Sequence, residues 1–256
     1  MATVQHFGHA SPEAFRIHAV PTSRPFLWIA RGWEDLWRHP AASLAHGLLV
    51  AVLGALILAF SVHPYAIATA GCGFLLVGPL FAFGPCELSR RIERGETADF
   101  GAALAPLRHR ATAVTAFGAT LLMLGAAWLV LSWWMLETML GSAAPAWAQT
   151  MWGDVLTHLG ASQLMSYAAV GAVLAAIVFA LSVVSVPMML DSGADARTAM
   201  LTSLRVTFRD LPAMLVWAVL VVVLVAAGFA TFLLGMVLVF PLLAHATWHA
   251  YRDLVK

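Results

Sequence analysis

Four long runs without a charged residue constrain this sequence more than any other feature. No Lys, Arg, Asp or Glu occurs over residues 39–86, 111–136, 155–190 or 211–251. A helix needs about 20 apolar residues to cross a bilayer, so the first and last runs each accommodate two crossings and the middle two accommodate one each. The runs predict an all-α membrane protein with spans at 41–60, 66–84, 111–136, 162–190, 211–229 and 233–250.

The distribution of basic residues tests this count of six spans independently. With these spans, all 14 Lys and Arg residues fall on one side of the membrane. An odd number of spans would place some of them on the opposite side. Under the positive-inside rule, the pattern predicts that both termini face the cytoplasm.

The spans are predicted to form three helical hairpins, each preceded by a short interfacial helix. In the first such stretch, residues 25–37, Trp33 and Trp37 share an apolar face next to basic residues, which is typical of a helix lying in the cytoplasmic interface. Similar stretches cover 99–110 and 195–210. We expect residues 1–22 to be a disordered polar tail and residues 23–256 to form a single membrane domain.

The second span of each hairpin contains a proline in similar apolar surroundings. These prolines are Pro79, Pro187 and Pro241. Together with the likeness between the first and last hairpins, they favour a three-fold parallel internal repeat. Each proline frees the backbone carbonyl four residues earlier, and in lipid this group needs a partner. The prolines therefore predict kinked helices that pack inward.

Alignment of the three hairpins on their prolines places polar residues near the cytoplasmic ends of the spans. The carboxylates are Glu87, Asp191 and Asp195, and the histidines are His46, His245 and His249. One interpretation is a haem or transition-metal site on the histidines. A second is a proton or ion relay that includes the carboxylates. A third is anchoring at the membrane interface, in which Trp248 takes part with Trp33 and Trp37.

Other classes of function lack the residues that they require. The segment HATWH has no Glu for a zinc-protease pattern, and no phosphate-binding loop or nucleophile elbow occurs. No catalytic constellation is recognisable, so we expect the chain not to be an enzyme. The sequence offers no basic patch suited to a nucleic-acid partner, and the expected partner is the lipid bilayer.

Several segments resemble a family of bacterial integral membrane proteins catalogued as domain of unknown function 2189. The segments are RPFLWIARGWEDLWRHP, GCGFLLVGPLFAFG, ELSRRIERGE, ALSVVSVPMMLD and LLGMVLVFPLLAHATWHAYR, which cover most of 23–252. Where the family usually has Gly-aliphatic-Tyr before ELSRR, this chain has GPC. The resemblance implies a six-helix protein of the bacterial inner membrane.

Members of this family are sometimes labelled as similar to cytochrome c oxidase subunit I. Such a core subunit needs more spans and more metal-binding histidines than this chain offers. The resemblance therefore implies a non-enzymatic accessory or assembly protein beside a larger, respiratory membrane complex. The alternatives are an ion or small-molecule transporter or channel that uses the inner Asp/His cluster, and a protein that binds haem or a metal.

Overall fold

The structure is a computed structural model, and it describes residues 15–60, 73–140 and 160–255. Within these ranges the fold is all-α. The helices are α1 Arg24–Arg38, α2 Pro40–Phe60, α3 Phe83–Arg94, α4 Phe100–His109, α5 Ala111–Leu140, α6 Ala161–Ser182, α7 Ser185–Asp191, α8 Ala196–Arg209, α9 Leu211–Ala230 and α10 Met236–Leu254. An isolated antiparallel bridge joins Ile17 to Val255 and holds the start of the described chain against its end.

Among the described residues, four helical segments are long and apolar enough to cross a membrane. They are Pro40–Ile57, Ala111–Met139, Ala161–Asp191 and Leu211–Ala230, which correspond to four of the six predicted spans. No more than 39% of the residues in any of these windows are buried inside the protein. Helices that are apolar on every face and yet mostly uncovered by protein fit a lipid environment.

The other two predicted spans have a different character. The span at 66–84 begins outside the described residues, and its described part is helical over 73–77 before a 3₁₀ turn, Gly78–Ala82, that contains Pro79. The span at 233–250 corresponds to α10, which is not among the four apolar segments and has Arg252 and Asp253 in its last turn. The arrangement with six spans stays a prediction.

Helix α10 is the central helix of the described fold, because α1, α2, α3 and α9 all pack against it. Pro241 lies inside α10 and removes the hydrogen bond to the Val237 carbonyl. Gly47 of α2 lies directly against this carbonyl, and a Cβ atom at that position would overlap with it. The freed carbonyl is thus covered by the backbone of a neighbouring helix, as a carbonyl without its helical partner requires in lipid.

The second proline follows an interruption between α6 and α7. Helix α6 ends at Ser182, and α7 begins at Ser185 with Pro187 buried in its first turn. Ser203 of α8 donates a hydrogen bond of 2.7 Å to the Ala180 carbonyl. It also accepts one of 3.4 Å from the backbone N–H of Val184. A serine from a neighbouring helix therefore satisfies backbone groups at the break.

The three predicted interfacial stretches are helices in the structure, namely α1, α4 and α8. Asp99 and Asp195 cap the second and third of them by accepting hydrogen bonds from backbone N–H groups three residues later, at 2.7 and 2.9 Å. In α1 the side chains of Phe26, Trp33 and Trp37 are exposed. The opposite side of α1 is buried against α10, because Gly32 allows a close approach in which its Cβ would lie 2.7 Å from the Ala246 nitrogen.

A candidate functional site in a buried polar network

His245 lies in the interior of the molecule and uses both of its ring nitrogens. Its exposed fraction is 0%. The Nε2 atom is 3.0 Å from Oγ of Ser43 in α2, and the Nδ1 atom is 2.8 Å from Oγ of Ser89 in α3. One imidazole therefore links three helices through hydrogen bonds that no solvent reaches.

The network continues from Ser89 to a buried carboxylate in α1. Oγ of Ser89 lies 2.7 Å from Oδ2 of Asp35, and Nε2 of His249 lies 2.8 Å from the same oxygen. Asp35 is only 4% exposed. We call the set Ser43, His245, Ser89, Asp35 and His249 the polar network.

The donors and acceptors in the polar network determine the tautomer of His245. Burial alone would keep Asp35 neutral, but hydrogen bonds from His249 and Ser89 outweigh it and lower the pKa of this carboxyl below its ordinary value. An ionised carboxylate only accepts hydrogen bonds, so the hydroxyl of Ser89 donates its one proton to Asp35. Ser89 must then accept from Nδ1–H of His245, and the bare Nε2 of His245 accepts from the hydroxyl of Ser43.

His46 lies one helical turn beyond Ser43 and has an unsatisfied nitrogen. Its Nδ1 lies 2.8 Å from the Ala42 carbonyl, which only accepts, so Nδ1 carries the proton. Its Nε2 is buried, and no described residue bonds to it. The ring lies against Gly84 of α3, where a Cβ atom would overlap with it. His46 thus keeps a bare acceptor nitrogen in the interior.

Two glycines bring the parts of the polar network together. Gly32 lets α1 approach α10 closely, and Asp35 and His249 each lie three residues beyond the contact between Gly32 and Ala246. Gly47 has the same role between α2 and α10, with Ser43 one turn before it. Because i, i+3 and i, i+4 positions share a helix face, each close contact directs a polar side chain towards α10.

The Asp35 end of the polar network opens onto the surface of the protein. A cavity of about 290 Å³ lies there, and it is lined by Arg31, Glu34, Asp35, Arg38, Ser89, Ile92, Glu93, His249 and Arg252. The network therefore runs from a water-accessible cavity lined by charged groups to a fully buried imidazole and hydroxyl.

Hydrogen bonds to Asp253 connect α10 to α1 close to the cavity. Asp253 accepts hydrogen bonds from Arg24 at 2.6 Å and from the Trp28 indole at 2.7 Å. Burial of Asp253 favours its neutral form, but the bond from Arg24 and its other contacts lower the pKa of this carboxyl. These contacts tie the C-terminal end of α10 to α1, beside the cavity.

The three carboxylates expected from the sequence do not join the histidines. Glu87 is buried and lies between Arg90 and Arg91 of its own helix, at 2.6 and 2.8 Å. Asp191 lies 2.8 Å from Arg94 and accepts a bond of 3.2 Å from the Tyr251 hydroxyl. Asp195 caps α8. These groups neutralise arginines or complete a helix end, and Asp35 is the carboxylate that meets the imidazoles.

The histidines are already committed to hydrogen bonds in this arrangement. A metal or haem iron on His245 would have to displace Ser43 or Ser89, and one on Nε2 of His249 would have to displace Asp35. In the described ranges, no group of three or more His, Cys, Asp or Glu side chains is arranged to hold a metal ion. The donor set therefore fits a proton-exchanging network better than a coordination sphere.

The tryptophans separate into two environments. Trp33 and Trp37 are 43% and 51% exposed and form an edge-to-face pair with ring centroids 5.6 Å apart. Trp248 is only 1% exposed, and its indole donates a 2.9 Å hydrogen bond to Glu93. Trp248 faces protein rather than lipid because α10 is surrounded by other helices.

Sequence reasoning missed Asp35, Ser43 and Ser89. Asp35 lies beside Glu34 and between Arg31 and Arg38 in the sequence, which is typical of a solvated helix face. The signal that could have found it is its spacing from Gly32, which identifies the face of α1 that meets α10. The two serines offered no comparable signal, because serine is common in membrane helices and usually bonds to its own backbone.

Comparison with known proteins bears on the class of the molecule. Residues 66–191 match the family described as predicted integral membrane protein (DUF2189). The chain belongs to this family. The matched range includes Ser89 and Gly84, whereas the rest of the polar network and His46 lie outside it. Searches of curated proteins and of solved structures found no match.

Proposed function

We propose that this member of the DUF2189 family conducts protons across a bacterial inner membrane and that the polar network forms the cytoplasmic part of the path. One observation carries the proposal: an unbroken chain of hydrogen bonds leads from the surface cavity through Asp35 and Ser89 to His245 and Ser43. Each of these groups can give up one proton and accept another, so the chain can pass a proton along its length.

The free energy required to bury the ionisable groups of the polar network supports a role beyond helix packing. Ionisable groups inside a membrane protein are expensive and usually mark ion or proton pathways. Apolar side chains would join α1, α2, α3 and α10 without that cost. The bare Nε2 of His46, one turn from Ser43, offers a proton acceptor at the buried end.

The proposed arrangement in the membrane follows the basic residues. Six spans with both termini in the cytoplasm would direct the surface cavity and its arginines to the cytoplasmic side. The four apolar segments supply the lipid-facing surface. Cysteine-accessibility labelling at exposed Arg209 and at Phe232, in the turn between α9 and α10, tests the arrangement, because the two positions should react from opposite sides.

Proton flux into proteoliposomes tests the relay. The purified protein is reconstituted with a pH-sensitive dye inside, and an inward potential is imposed. We expect flux above that of empty vesicles, and at least a tenfold loss in Asp35→Asn and in His245→Phe. Glu96→Gln is the matched control, since Glu96 is an exposed carboxylate that lies outside both the polar network and the cavity. Wild-type flux equal to that of empty vesicles, or flux unchanged in both network variants, would refute the relay.

A second candidate is the non-enzymatic accessory protein of a larger, respiratory membrane complex. It is favoured by Phe232 and Leu234, which are 91% and 76% exposed on the turn between α9 and α10. Large apolar side chains on a turn are suited to contact with a membrane partner. Co-purification of a respiratory complex that is lost in Phe232→Ser/Leu234→Ser would support this candidate, and unchanged co-purification would count against it.

A further inference from the structure

The cavity at the end of the polar network contains two arginines whose hydrogen-bonding capacity is largely unused. Arg38 lies 3.8 Å from Asp35, and Arg31 lies 3.8 Å from Asp253. Both carboxylates are held by shorter bonds from other groups, at 2.6 to 2.8 Å. The side chains of Arg31 and Arg38 are 40% and 58% exposed and lie two turns apart on one face of α1.

A carboxylate lies between these arginines. Glu34 is three residues after Arg31 and four before Arg38, and it lines the same cavity. Among the described residues, no side chain or backbone group is hydrogen-bonded to Glu34. By contrast, Glu93 on the opposite wall is already paired with Arg252 at 2.8 Å. The cavity therefore presents two cationic groups and one anionic group that are available to a ligand.

The adjacent face of α1 indicates where the cavity lies relative to the membrane surface. Phe26, Trp33 and Trp37 are exposed on the side of the helix next to Glu34. Exposed tryptophans beside arginines are typical of a helix at the boundary between acyl chains and headgroups. A ligand in the cavity would then lie level with the phospholipid headgroups.

We infer that the cavity binds the headgroup of a phospholipid that carries a primary amine. The phosphate accepts hydrogen bonds from Arg31 and Arg38, because guanidinium groups match phosphate oxygens in geometry and charge. The ammonium group is paired with Glu34. The acyl chains pass along Phe26, Trp33 and Trp37 into the bilayer. Lipid binding can be measured apart from proton transfer, although the same cavity is the surface end of the polar network.

Native mass spectrometry of the delipidated protein in detergent tests the inference. The probes are phosphatidylethanolamine, phosphatidylcholine and phosphatidylglycerol with identical acyl chains, together with soluble glycerophosphoethanolamine. We expect the amine-bearing lipid to bind at least tenfold more tightly than the choline lipid. Equal binding of all three lipids would overturn the inference, and so would tighter binding of the glycerol lipid or saturation by the soluble headgroup alone.

Three variants separate the contributions of the charged groups. Arg31→Gln/Arg38→Gln should weaken binding of both the amine and the choline lipid at least tenfold. Glu34→Gln should abolish only the preference for the amine. Arg197→Gln/Arg209→Gln removes two exposed arginines of α8 and is the matched control. Equal losses in the control and in the α1 double variant would show a general charge effect and overturn the site. Thermal unfolding of each variant confirms that it is folded.

Discussion

Helices α9 and α10 are neighbours of nearly equal length, 20 and 19 residues, but they are stabilised in different ways. The apolar window of α9 is only 22% buried by protein, and its exposed valines fit contact with lipid. Helix α10 is enclosed by α1, α2, α3 and α9 and carries His245 in its interior. The comparison shows how a polar side chain is accommodated in the core, because Ser43 and Ser89 satisfy both ring nitrogens of His245.

The largest expected effect is at the glycine that joins α2 to α10. Gly47→Ala places a methyl group on the Val237 carbonyl. Because backbone rather than a flexible side chain is in the way, we expect a loss of at least about 3 kcal/mol of folding free energy. Gly78→Ala is the control, since no heavy atom lies within 4 Å of its Cβ position. Equal thermal stability of both variants in detergent would contradict the contact.

The next largest effect is at the carboxylate of the polar network. Asp35→Asn removes charge-assisted hydrogen bonds to Ser89 and His249, which together should cost about 1.5–3 kcal/mol. Glu34→Gln, one residue earlier on the exposed side, should change stability by less than about 0.5 kcal/mol. Denaturant unfolding in mixed micelles measures both. A similar loss in the two variants would mean that Asp35 is not held as described.

The dependence of stability on pH should be smaller and should have a defined sign. The folded-state pKa of Asp35 is lowered, so the unfolded chain binds the proton first as the pH falls. The contribution of Asp35 is complete above its ordinary pKa of about 3.9 and declines below it. Unfolding temperatures measured downward from neutral pH should fall less steeply in Asp35→Asn than in the wild type. Parallel curves would contradict the assignment.

The smallest effect is expected on the lipid-facing side of α9. Val222 is 66% exposed, so Val222→Ala should change stability by less than about 0.5 kcal/mol. Met214 on the same helix is 1% exposed, and Met214→Ala should cost about 2–5 kcal/mol. Thermal unfolding of the two variants in detergent distinguishes the faces. A loss at Val222 as large as that at Met214 would show that protein covers this face.

The sequence was most informative where hydropathy alone decides the structure. The uncharged runs predicted α2, α5, α6 with α7, and α9, because a lipid-facing helix must be apolar on all sides. The three interfacial stretches were predicted from charge and aromatic placement and are the helices α1, α4 and α8. The inward packing of all three prolines stays a prediction, although Gly47 lies against the carbonyl freed by Pro241.

The polar network could not be predicted in the same way. Its members are far apart in the sequence, and the contacts at Gly32 and Gly47 determine which helix faces meet. The proline alignment identified His245 as a candidate but suggested Glu87, Asp191 and Asp195 as its carboxylate neighbours rather than Asp35. In the structure, Glu87 and Asp191 are paired with nearby arginines, and Asp195 caps α8. These pairings depend on how the helices pack, which the sequence pattern does not show.

The most direct test of the polar network is the tautomer of His245, measured by ¹⁵N NMR of histidine-labelled protein and assigned by the loss of its signals in His245→Gln. The network requires a proton on Nδ1 and a bare Nε2 in the wild type. In Asp35→Leu the hydroxyl of Ser89 loses its acceptor, so its proton can turn to Nδ1 and the tautomer should switch to Nε2–H. A wild-type His245 protonated on Nε2, or a tautomer unchanged in Asp35→Leu, would contradict the account.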